Sequence, residues 1–164
     1  MTRARTRPKK AVQASRVVLD LPLLLQALLC SDDAAQALRQ AWQSGACVPL
    51  VNAEMAQALI TALRFPRLAL SEAQQQELLA DFLPYAEVVG APAQADRRRS
   101  REVSPALELA LWPHAKTELW LCNDPVLRLR GQRLISRRQL PALKGLSCEE
   151  FLAGLSSAGH DVTG

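Results

Sequence analysis

At 164 residues, 49% apolar and 22% charged, the chain has the length of one domain and the composition of a globular core, not of a disordered or membrane-embedded protein. The formal net charge is +4, but Arg3, Arg5, Arg7, Lys9 and Lys10 all fall in residues 1–15, where there is no acid. Without that segment 15 basic residues face 16 acidic ones, a net of −1, so the basic excess belongs to a tail expected to be disordered.

The domain is expected over residues 16–155, followed by a flexible tail at 156–164. "RVVLD" (16–20) reads as a buried strand, short, β-branched and ended by a single carboxylate, Asp20. Pro22 suits the first turn of a helix over 22–30. "SDDAAQALRQAWQSG" is a second helix with Ser31 as N-cap, acids in its first turn and Gly45 as its stop. "CVPLV" (47–51) is another buried strand, and Asn52 caps the helix that carries Met55, Leu59 and Leu63. Ser71 opens a long amphipathic helix, "EAQQQELLADFLPYAEVV", with Leu78, Leu79, Phe82 and Leu83 inward and Pro84 kinking or ending it. Residues 90–103, rich in Gly, Pro and Arg, form a loop. Ser104 and Pro105 restart a helix, "ELWLC" (118–122) is a third strand, and "RLIS" (133–136) a short fourth. "SCEEFLAGL" (147–155) is a final capped helix.

Strands alternating with helices imply a three-layer α/β/α sandwich around a mostly parallel sheet. Ligand sites in such sheets lie beyond the carboxyl ends of the strands. Asp20 and Asp124 each follow a buried strand, so parallel order brings them to one rim. There they either hold a hard divalent cation such as Mg²⁺ or Mn²⁺, which activates water and steadies a phosphoryl transition state, or cap the helices that follow.

Several features exclude other chemistry. No window reaches the roughly 18 consecutive apolar residues of a membrane helix, and residues 1–15 lack the apolar region of a secretory signal. Cys30, Cys47, Cys122 and Cys148 are far apart with no CxxC or paired histidine, so reduced thiols and a cytoplasmic setting are expected. Glycine-loop and nucleophile motifs are missing. Trp42, Trp112 and Trp120 fit core positions better than base stacking. Two basic clusters remain. "DRRRSRE" (96–102) reads as a solvated loop, and Arg128, Arg130, Arg133, Arg137, Arg138 and Lys144 lie between Asp124 and Glu149 with no acid among them. The second cluster either neutralises nucleic-acid phosphates or is solvated surface.

"RVVLDLPLLLQALL", "CVPLVNAEMAQALITALRFPRLALSEAQQQELLADFL" and "ELWLCNDPVLRLR" resemble PIN-domain proteins, in the branch of toxins from toxin–antitoxin pairs. The resemblance covers residues 16–155 in element order. It implies a Mg²⁺- or Mn²⁺-dependent endoribonuclease that uses three or four acids, is opposed by an antitoxin and is often a homodimer. Asp20 matches the first acid and Asp124 the fourth, and these two would be the metal ligands. Leu21 and Pro22 replace the polar pair that follows the first acid. The second acid's column falls on Ala58, with Glu54 one helical turn earlier as a substitute. Glu102 is the nearest candidate for the third, whose likelier columns are Val103 and Ser104. Cys122 stands where the family has Thr or Ser, and Val126 where a further acid often follows. The resemblance so departed from implies weak or absent cleavage, with Arg128, Arg130, Arg133, Arg137 and Arg138 guiding RNA. The alternative is a non-catalytic PIN-like module that binds RNA or protein.

Overall fold

The computed structural model describes residues 14–90 and 103–161. In chain order the elements are β1 (Ser15–Leu19), α1 (Leu21–Leu29), α2 (Asp33–Gln43), β2 (Cys47–Val51), α3 (Ala53–Leu63), α4 (Glu72–Ala80), β3 (Glu87–Val88), α5 (Pro105–Leu111), β4 (Leu119–Leu121), α6 (Pro125–Arg137), β5 (Lys144–Leu146) and α7 (Cys148–Asp161). The five strands form one parallel sheet in the order β3-β2-β1-β4-β5. Seven described helices flank it, giving the expected α/β/α sandwich.

The central strands are apolar on both faces because both faces are covered. Val17 and Leu19 of β1 pack with α1, α2 and α7, while Val18 points the other way, toward α5 and α6. Trp120 and Leu121 of β4 divide in the same way. No described helix is long and apolar enough to cross a membrane.

Several expected elements differ. Residues 133–136 are not a strand but the last turn of α6. That helix starts at Asp124, whose Oδ1 accepts from the amides of Val126 (2.9 Å) and Leu127 (3.4 Å), with Pro125 in its first turn. Its sheet-facing residues are Gly131 and Ile135, four apart. The helix that opens at Ser71 does so with a capping box, but it ends at Ala80. Pro84 has no N–H to give the Ala80 carbonyl. Trp42 Nε1 donates to the Asp81 carbonyl at 2.8 Å, and Phe82 packs edge-on against the Trp42 ring with centroids 5.2 Å apart. The chain beyond makes a 3₁₀ turn and then β3. The N-cap of α2 is Asp32, which accepts from Ala35 N, instead of Ser31. The last helix runs on to Asp161.

Candidate functional site

Parallel order puts the carboxyl ends of β1, β2 and β4 on one rim, and the residues that follow them are Asp20, Asn52 and Cys122. Asn52 is committed to capping α3 through Met55 N, at 2.9 Å. Asp20 sits at the N-cap position of α1 without capping it. Its amide donates to the Leu121 carbonyl (2.9 Å), fixing the β1–β4 register, and its side chain turns inward, only 4% exposed.

Both carboxylate oxygens of Asp20 receive hydrogens from uncharged partners. Ser104 Oγ donates to Oδ1 at 3.2 Å, and Cys122 Sγ lies 3.9 Å from Oδ2. Ser104 also accepts from Leu107 N and so caps α5, which ties that helix to the end of β1. Burial pushes the Asp20 carboxyl above the usual range. The hydrogen bonds from Ser104 and Cys122 oppose that shift, and the charge of Asp124 adds to it. Burial likewise raises the Cys122 thiol, which keeps its proton to share.

Asp20 forms part of the wall of a cavity of about 250 Å³ whose surface is almost wholly hydrocarbon. Leu21, Pro22, Ala58, Phe82 and Ser104 contribute to the same wall. Positions 58 and 104, far from Asp20 in sequence, thus meet the Asp20-Leu21-Pro22 run around one carboxylate.

The other candidate acids are placed differently. Asp124 is exposed on the same rim, linked to Asp20 through Cys122, whose Sγ also lies 3.7 Å from the Asp124 carbonyl. Its Oδ1 is occupied by the α6 amides. Glu54 is exposed in the first turn of α3 and does not line the Asp20 cavity; Ala58, one turn on, does. Glu102 lies outside the described residues, as do Arg99 and Arg101. Among the described residues no three His, Cys, Asp or Glu side chains come together as a metal-holding group.

The four arginines of α6 and Arg138 after it divide. Arg130, Arg133 and Arg137, spaced i, i+3, i+7, line a cleft of about 720 Å³ whose wall also includes Asp20, Ser104 and Trp120. Arg128 instead donates to the Cys122 carbonyl at 2.8 Å and braces the end of β4. Arg138 is the C-cap residue of α6. Reading residues 133–136 as a strand hid this division, which the i, i+3, i+7 spacing would have revealed from Asp124-Pro125 onward. Trp120 is a core residue, as expected, but it also lines the cleft. Comparison with family profiles, with curated proteins and with solved structures finds no match to this chain.

Proposed function

We propose that the chain is a PIN-like domain, related to the Mg²⁺-dependent endoribonuclease toxins of toxin–antitoxin systems, that engages RNA and cleaves it weakly or not at all. One observation carries this reading. The columns where the resemblance expects polar or acidic ligands, at 21, 22, 58 and 104, surround Asp20 and hold Leu, Pro, Ala and Ser. Ala58 and Ser104, which the chain brings to Asp20 from α3 and from the start of α5, are what support the reading; Leu21 and Pro22 are its neighbours in sequence.

The donors that remain suit a cation poorly. Mg²⁺ demands near-octahedral oxygen ligands and keeps several waters. Here the described residues offer one carboxylate turned into hydrocarbon with both oxygens engaged, and a second that caps a helix. Magnesium would supply an activated water, and nothing in these walls positions one. RNA contact rests instead on α6, where Arg130, Arg133 and Arg137 have no ion-pair partner among the described residues and can displace condensed counterions.

Fluorescence anisotropy of a labelled single-stranded oligoribonucleotide tests this. Wild type is expected to bind without added divalent cation. Removing Arg130 and Arg133 together should lower the slope of log K against log salt by about 1.4, or 0.7 per phosphate contact. An unchanged slope would overturn the assignment of α6, and Mn²⁺ binding by calorimetry in the millimolar range would overturn the loss of the metal site.

A further inference from the structure

The cleft between α5, β4 and α6 is rich in hydrogens to donate and poor in atoms to accept them. Arg130, Arg133 and Arg137 are exposed on it and unpaired among the described residues. Trp120, also on its wall, is 1% exposed, and its Nε1 has no hydrogen-bond partner among the described residues. The Cε3–Cζ3 edge of that ring lies against Gly131 and Gly145, so the indole N–H is on the opposite edge, away from the α6 backbone. A buried N–H left without a partner calls for an explanation, commonly a water or an ion. The carboxylate on the same wall, Asp20, is already engaged by Ser104 and Cys122. Three planar guanidinium forks and an orphan indole fit an anion that only accepts. A phosphomonoester presents three such oxygens and nearly two charges, enough to engage more than one fork. A phosphodiester within a strand has two free oxygens and one charge.

We propose that this cleft holds a phosphomonoester, namely the terminal phosphate of an RNA strand, so that phosphorylated ends are preferred over interior segments. The choice of RNA as the source rests on the reading of α6 given above; the anion site itself can be tested without RNA. In a ¹H–¹⁵N correlation spectrum the three tryptophans give three indole signals, and W120F identifies one of them. Inorganic phosphate, titrated at constant ionic strength, is expected to move the Trp120 signal saturably and to weaken by about tenfold or more in R133A. Should W120F fail to fold, R133A alone identifies the phosphate-dependent signal. In parallel, one oligoribonucleotide is compared with a 5′-phosphate, a 3′-phosphate or hydroxyl ends, alongside a nucleoside monophosphate as competitor. One phosphorylated form is expected to bind at least about tenfold tighter than the hydroxyl form, with the difference lost in R133A. Equal affinities for all three would overturn the end preference while leaving RNA binding intact. Equal affinities with a saturable response to nucleoside monophosphate would reassign the source to a small molecule. No response of Trp120 to phosphate would overturn the anion site.

Discussion

Asp20 joins the rim of the sheet to the proposed site in one side chain. Its carboxyl keeps a proton to higher pH in the folded chain than in the unfolded one, chiefly because it is buried. Its contribution to stability is therefore complete below the unfolded carboxylate value of about 3.9 and is lost as pH rises through the raised folded value. Asp20→Asn keeps the shape and cannot ionise. Calorimetric melting should show the variant gaining on wild type as pH rises from about 4 to about 7; a constant difference would contradict the burial argument. Ala58→Glu adds a second carboxylate to the hydrocarbon cavity. It should cost at least about 2 kcal/mol in urea unfolding, because a charge is buried beside a like charge. Millimolar Mn²⁺ should raise the melting temperature of Ala58→Glu and leave wild type unmoved. A rise in wild type would mean that the cation site survives.

At the level of the elements, α6 shows both the reach and the limit of sequence reading. Strands β1, β2 and β4 were legible because each is a short apolar run, and α3, α5 and α7 because Asn52, Ser104 and Ser147 announce them. α6 buries only Gly131 and Ile135, so its apolar stripe is too thin to outweigh the short apolar pair Leu134-Ile135 set among arginines. β3 has two residues, and β5 centres on Gly145, which strand propensity disfavours. Partners hold both in place. Arg16 forks onto Glu87 at 2.9 and 2.8 Å, and Gln132 Oε1 accepts from Gly145 N at 3.1 Å. Gly131 is required because a Cβ there would lie 2.2 Å from Trp120 Cζ3. Gly131→Ala is expected to destabilise by up to about 2 kcal/mol, the overpacking of about 1–3 kcal/mol less the roughly 1 kcal/mol gained in helix propensity. Chemical denaturation checks the sign. Asp124→Ala should cost about 1 kcal/mol through the lost α6 cap.

Over the whole molecule, the parallel sheet determines what can meet. With β1 at its centre, a residue after that strand has neighbours from both β2 and β4, and Asp20 collects Ala58 from one side and Cys122 from the other. That Asp20 and Asp124 lie on one rim was legible from strand order alone. That Leu21, Pro22, Ala58 and Ser104 enclose one apolar space was not, because no local pattern encodes contacts between α1, α3 and α5. The most direct measurement incubates a single-stranded RNA and Mn²⁺ with wild type and with Asp20→Asn, following binding and strand integrity together. Equal binding within about twofold and RNA cut slowly or not at all, to the same extent in both, are expected, since on the proposed reading Asp20 holds no cation. Rapid metal-dependent cleavage by wild type that disappears in Asp20→Asn would contradict this.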